Sequence, residues 1–293
     1  MIERYVIRYF LAVVDGGNFS NAARAENVTQ PTLSAGIAKL EEKLGKSVFH
    51  RTNRRVHLTE AGARFLPYAR RIESEFNQSI AAVQDIEPIK ILRVGVLSTI
   101  SARLVSKAIG VMQRKDPRIR IEMMDGSERE LTSKLAQERI DFALTLVGRG
   151  SERFHEVALF EEGYAVALPK GHPFADQGAV NAEDLSDSVM IVRRQCEALS
   201  ETSRFFTERG VRPFFAYRSS QDERVMAMIA SGLGITIVPQ SHAAPGVQKI
   251  PLNGFRQRRS IGFAFAANVD AEAMMALEGV AAFQEKLLTE QRS

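Results

Sequence analysis

The stretch Phe10–Gly62 reads FLAVVDGGNFSNAARAENVTQPTLSAGIAKLEEKLGKSVFHRTNRRVHLTEAG. Phe19, Ala22, Ala23 and Val28 outline a short helix. Thr29 is placed to cap a second helix with Pro31 in its first turn, where a missing N–H does no harm. Leu33, Ile37, Leu40 and Leu44 then recur at helical spacing, so one face of that helix is apolar, and Gly45 ends it. Two helices joined by a tight turn suit a recognition helix lying in a major groove. The polar face carries Gln30, Thr32 and Ser34 near the helix N-terminus, where base edges and phosphates are met. Phe49–Leu58 then alternates weakly and contains Arg51, Arg54 and Arg55, which predicts a β-hairpin wing. From Lys46 to Arg71 seven basic residues face one acid, Glu60. A local excess of that size points to double-stranded DNA as partner. The competing reading, a solvated helical hairpin with incidental charge, leaves the agreement of cap, period and wing charge unexplained.

Beyond this stretch, Thr59–Gly62 opens a third helical segment running to about Ile86. Phe65, Ala69, Ile72, Phe76, Ile80 and Val83 lie close to a coiled-coil seam. Such a stripe must be covered, either by its own domain or by the same helix of a second copy. Glu87-Pro88 breaks the pattern. Strands are then predicted at Ile89–Leu97, Ile119–Met124, Phe142–Leu146, Glu162–Leu168, Val189–Val192, Phe214–Tyr217, Ile235–Val238 and Ile261–Ala266. Helices are predicted at Ser101–Gln113, Glu128–Gln137, Ala198–Glu208, Gln221–Ala230 and Ala271–Glu290. This alternation argues for parallel α/β layers in two lobes with a cleft between them. The fold class is therefore α/β: an N-terminal winged helix-turn-helix over 1–62, a long linker helix over 63–87, and a two-lobed domain over 88–293. Lobe I takes about 88–163 and 267–293, and lobe II about 164–266.

Composition sets outer limits. The chain has 293 residues, 45% hydrophobic and 25% charged, which fits a globular protein of two or three domains. Net charge is only +4, so the basic excess is local rather than global. The opening MIERYVIRYFLAVV lacks a signal-peptide pattern, and no apolar run approaches the roughly 18 residues of a membrane span. With one cysteine, Cys196, no internal disulfide can form; a cytoplasmic protein without membrane partner is expected.

The chain resembles the LysR-type family of bacterial transcriptional regulators. The residues that carry the resemblance are FLAVVDGGNFSNAA, TQPTLSAGIAKLEEKLG, VFHRTNRRVHLTEAG, LPKGHPFA and ASGLGITIVP. The resemblance implies that the 63–87 helix is a dimerisation helix and that the two-lobed domain is a periplasmic-binding-protein-like effector domain, in a homodimer or, more usually, a homotetramer that binds an interrupted inverted repeat in DNA and answers to a small-molecule effector, with RNA polymerase a further partner. Gln30, Pro31 and Ser34 fall where family members contact DNA, and Arg51 and Arg54 fall on the wing. Ala35 and Gly36 depart from the pattern, because a long polar or basic residue is common there. Gly36 also costs an isolated helix about 1 kcal/mol relative to alanine.

In α/β sheets ligands gather at the C-terminal ends of strands, beside helix N-termini. Ser98, Thr99 and Ser101 stand at such a point and suit an anion; the competing reading is plain capping. Thr145 ends the third strand, and Arg193, Arg194, Gln195 and Cys196 end the fourth. The resemblance places effector contacts at these strand ends, where an arginine can clamp a carboxylate. The competing reading for the arginines is a salt bridge to Asp184, Asp187 or Glu197. Cys196 also lies where peroxide-sensing members place a reactive cysteine, and Arg193 and Arg194 would favour its thiolate. The resolving cysteine of those members is absent, which leaves sulfenic acid or an intermolecular disulfide. Gly232-Leu233-Gly234 reads as a helix-to-strand turn rather than a nucleotide fingerprint. The five histidines show no metal spacing, and neither a phosphate-binding loop nor a GxSxG elbow occurs. No cofactor, metal or catalytic residue is expected. A hydrolase or solute-binding protein fused to a DNA-binding module is the alternative.

Overall fold

The computed structural model describes residues 2–51, 56–83, 90–150 and 153–291, and the chain divides into two compact units, Met1–Lys90 and Ile91–Ser293. In the first unit, α1 (Arg4–Gly16), α2 (Phe19–Ala25) and α3 (Gln30–Leu44) precede a hairpin of β1 (Phe49–Arg51) and β2 (Val56–Leu58), followed by α4 (Glu60–Val83). The sequence reading did not single out α1. Its Val6, Phe10 and Val13 join Ala22, Leu33, Ile37, Leu40 and Phe49 in one core. The Asn18 carboxamide caps α2 and the Thr29 hydroxyl caps α3, with Pro31 in the first turn and Gly45 closing the far end as expected. The hairpin is antiparallel, Phe49 opposite Leu58 and His50 opposite His57.

The seam on α4 divides along the helix. Ala69 is buried in the first unit's core and Phe65 packs against it, whereas Ile72, Phe76, Ile80 and Val83 are exposed. Self-packing therefore covers the first turns and leaves the remaining stripe open. Arg4 ties the middle of α4 to α1 through Glu73 and Asn77, with its guanidinium 3.7 Å from the Phe76 ring centroid.

The second unit runs β3 (Lys90–Leu97), α5 (Ala102–Lys115), β4 (Ile119–Gly126), α6 (Glu128–Ala136), β5 (Phe142–Leu146), β6 (His155–Pro169), β7 (Val189–Arg193), α7 (Leu199–Glu208), β8 (Phe214–Ser219), α8 (Asp222–Ala230), β9 (Thr236–Pro239), β10 (Val247–Pro251), β11 (Arg258–Phe265), α9 (Ala271–Met275) and α10 (Glu278–Gln291). The strand order is β10-β6-β11-β5-β3-β4, with β9 also on β6 and a separate β7-β8 pair. The layers are parallel only in part. β3–β5 and β7–β8 are parallel, but β6, β9, β10 and β11 enter antiparallel.

β6 is the reason the unit has two lobes. Its first half pairs with β11 over a core of Phe142, Phe263, Phe265, Phe283 and Leu92, and its second half pairs with β9 and β10 over a core of Val166, Leu185, Met190 and Ile235. A further cluster around Val225, Ile229 and Val238 seats α8 on the other face. The sequence reading carried lobe II to 266, but Ile261, Phe263 and Phe265 lie in the lobe I core, so the chain returns by β11. The closing helix is two helices, because Asp270 caps a short α9 before α10 turns Val280, Phe283 and Leu287 into that core. β10 is an addition to the expected strands. Gly232 takes φ +84° and a Cβ at Gly234 would lie 2.5 Å from the Val189 carbonyl oxygen, which is the tight turn that the GLG spacing predicts.

Candidate nucleic-acid interface and ligand site

The first turn of α3 is open to solvent. Gln30, Pro31 and Thr32 are exposed and Ser34 is half-buried, while Leu33, Ile37 and Leu40 face inward. The Gln30 carboxamide oxygen accepts from the Ser20 hydroxyl at 3.1 Å, which joins the helix pair across the turn. The Thr29 and Thr32 hydroxyls lie 2.8 Å apart. This end of α3 thus combines the positive end of the helix dipole with short polar side chains. Gly36 is not on that face. It is buried, and a Cβ there would lie 2.6 Å from the Tyr9 ring of α1. Its place in the pattern is the close approach of α1 and α3, not base readout. Arg51 ends β1, and Arg54 and Arg55 lie outside the described residues. Two basic residues counted from the sequence are engaged: Arg70 with Asp15 at 2.7 Å and Arg64 with Glu60 at 3.7 Å.

The strand ends of the second unit behave differently from the expectation. Arg193 is almost fully buried (2% exposed), and its guanidinium grips Asp222 with both Nε and Nη2. Its Nη1 also donates to the Ile237 carbonyl at 3.2 Å and lies 3.4 Å from Cys196 Sγ. Burial opposes its charge, but Asp222 outweighs burial and holds the guanidinium firmly protonated. Arg193 is therefore no free carboxylate clamp, and its partner is Asp222, not Asp184, Asp187 or Glu197. Arg194 is exposed at the strand end. Cys196 is half-buried; burial pushes its thiol above the ordinary value, and Arg193, itself paired with Asp222, opposes this only in part.

Between the lobes, the Ser98 hydroxyl donates to the Gln195 side chain at 2.7 Å, and the Ala102 amide lies 3.4 Å from the Glu223 carboxylate. Thr99 and Ser101 are buried, and Ser101 precedes α5 without a side-chain capping bond. Thr145 is buried too, its hydroxyl without a hydrogen-bond partner among the described residues. Sequence reasoning missed what lies beneath them. Arg259 of β11 stands opposite Glu162 of β6 and binds it with Nε at 3.0 Å and Nη2 at 2.8 Å. Its Nη1 donates to the Thr99 carbonyl (3.1 Å) and hydroxyl (3.2 Å) and to Glu197 (2.6 Å). The Tyr164 hydroxyl donates to Glu197 at 2.7 Å, and the Ser241 amide and hydroxyl donate to Glu162. Burial raises the Glu197 carboxyl, but Arg259 overcomes it and the net shift is downward. The only signals in sequence were charges within strand-like runs, Glu161-Glu162 and Arg258-Arg259, which by themselves read as edge or solvent-facing positions.

Among the described residues no group of histidine, cysteine or acidic side chains could hold a metal ion, and no helix is long and apolar enough to cross a membrane.

Residues 6–63 match the family model described as bacterial regulatory helix-turn-helix protein, lysR family, and residues 87–277 match the LysR substrate binding domain. The hydrogen peroxide-inducible genes activator of Dickeya chrysanthemi is 28% identical over 267 residues, 88% of each chain. The DNA-binding transcriptional dual regulator OxyR of Escherichia coli K12 is also 28% identical over 267 residues, with the same coverage. The structure of a full-length OxyR variant from Pseudomonas aeruginosa shares the fold at TM-score 0.68 and 23% identity, covering 100% of this chain and 95% of that one. That of full-length CbnR complexed with its target DNA does so at TM-score 0.57 and 21% identity, covering 98% and 99%. The exposed first turn of α3, the hairpin behind it and the two-lobed second unit accordingly belong together: this chain is a member of the LysR family, a DNA-binding transcriptional regulator with an effector-binding domain.

Proposed function

We propose that Gln30, Pro31, Thr32 and Ser34 meet DNA from the first turn of α3 while Arg51, Arg54 and Arg55 hold the phosphate backbone from the wing. Two copies paired along the exposed stripe of α4 would present two such helices, so the operator is an interrupted inverted repeat. A small molecule acting between the lobes, near Ser98, Thr99, Ser101, Thr145 and Arg194, would compete with the Ser98–Gln195 and Ala102–Glu223 contacts. It would thereby bias one lobe arrangement over another. The protein performs no catalysis in this reading, works in the cytoplasm, forms homodimers or homotetramers, and engages RNA polymerase at its promoters. The observation that carries the DNA-reading assignment is the exposed polar turn of α3 set beside a helix face buried in its own core. A second signal, oxidation of Cys196, is favoured by the peroxide-inducible relatives and opposed by the thiol's burial.

Selection of genomic fragments by the purified protein tests the assignment. Enrichment of an interrupted inverted repeat, reduced with Thr32→Ala and with a smaller salt slope for Arg51→Ala, is the expected result. Fragments without two half-sites would sink it.

A further inference from the structure

Along the rim shared by α2 and α3, most polar side chains are engaged within the protein. The Asn18 carboxamide oxygen accepts from the Asn21 amide at 2.7 Å. Asn21 donates from Nδ2 to the Gly16 carbonyl at 3.1 Å and accepts from Arg24 at 2.5 Å. The Thr29 hydroxyl accepts from the Thr32 amide at 3.3 Å, and the two hydroxyls pair at 2.8 Å. Gln30 is engaged at one end only. Its Oε1 accepts from the Ser20 hydroxyl at 3.1 Å, and its Nε2 has no hydrogen-bond partner among the described residues. Both side chains are exposed. Gln30 is the first residue of α3, and Leu33 is the first buried residue of that helix. The carboxamide therefore sits on the open turn with its oxygen turned back to α2, which leaves the nitrogen as its free end.

A glutamine with both ends free pairs with adenine in the major groove, accepting from N6 and donating to N7. That pairing needs oxygen and nitrogen to face the base together, which an oxygen held by α2 does not do. What remains is a donor, and the base edges answer it unequally. Guanine offers two acceptors, O6 and N7, and thymine offers one, O4. Adenine sets a second donor, N6, beside its N7, and cytosine offers only a donor. A donor facing a donor leaves both unpaired, and burying an unpaired group costs more than a made bond returns. We propose that Ser20 is a positioning residue that holds Gln30 as a donor-only reader of guanine in each half-site. The proposal rests on the reading of α3 as the helix in the major groove and adds the base that its first residue selects.

The test is selection of random DNA duplexes by the full chain, followed by sequencing. The half-site position whose base preference is lost with Gln30→Ala is the one this residue reads. Wild type should favour guanine over adenine there by about fivefold or more, and Ser20→Ala should cut that preference to below about twofold by admitting adenine. Ser20→Thr keeps the hydroxyl and should keep guanine. A second measurement needs no Ser20 variant: 7-deazaguanine at that position, which lacks the N7 acceptor, should weaken binding by wild type and leave Gln30→Ala unchanged. Adenine preferred by wild type overturns the proposal. So does a preference untouched by Ser20→Ala, an equal change in Ser20→Ala and Ser20→Thr, or tolerance of 7-deazaguanine by wild type. An enriched inverted repeat in which Gln30→Ala alters no position would also overturn it, while the reading of α3 stands on its other side chains. Enrichment of no repeat at all would remove that reading and this proposal together.

Discussion

Arg193 stands at the end of a strand where an incoming carboxylate would meet a cation, and its own chain supplies the carboxylate instead, from the first residue of α8. The same neighbourhood holds His242, buried with neither ring nitrogen hydrogen-bonded among the described residues and Nε2 3.5 Å from Asp222. Burial first, and then Arg193, Arg259 and Lys249, hold its pKa well below the ordinary 6.5. The unfolded imidazole titrates near that ordinary value, so below it the unfolded chain binds the extra proton and the folded chain does not. Stability from this group is present above pH of about 6.5 and is lost as pH falls from there toward the folded pKa. Urea midpoints on the two sides of that value, at about pH 7.5 and about pH 5.5, should differ for the wild type, and His242→Leu should narrow that difference. Equal acid-side losses in both proteins would remove His242 as the cause.

Among the elements, packing between helices explains a residue that the family pattern makes look anomalous. Alanine at position 36 would favour an isolated helix by about 1 kcal/mol. In α3 its Cβ would press on the Tyr9 ring at 2.6 Å, and overpacking of this kind costs about 1–3 kcal/mol. Gly36→Ala is therefore expected to lower stability. The loss should shrink in a Tyr9→Leu background, as measured by urea denaturation of both pairs. A gain in stability from Gly36→Ala alone would show that α1 can move aside. The α4 stripe follows the same logic in reverse. Its period was readable as a seam, but only the fold divides it into residues committed to the first unit's core and residues left exposed.

Across the second unit, β6 and β11 carry the crossing between lobes, and their Arg259–Glu162 pair is fully buried at the crossing point. Removing one partner of such a pair strands a buried charge at a cost of about 3–5 kcal/mol. Arg259→Ala should therefore destabilise this unit by roughly that amount. Arg259→Ala/Glu162→Ala should lose less than the sum of the single changes, as read from a double-mutant cycle in urea. Additive losses would mean that the two charges do not work as a pair. The helix-turn-helix with its Thr29 cap, the wing, the seam of α4 and the α/β character of the rest were legible in the chain alone, because caps, periods and turn residues act over a few positions. The placing of Arg193 against Asp222 and of Gly36 against Tyr9 was not. Those pairings join positions 29 and 27 residues apart, and no local pattern encodes them. The half-burial of Cys196, which raises its thiol above the ordinary value, is likewise a property of packing.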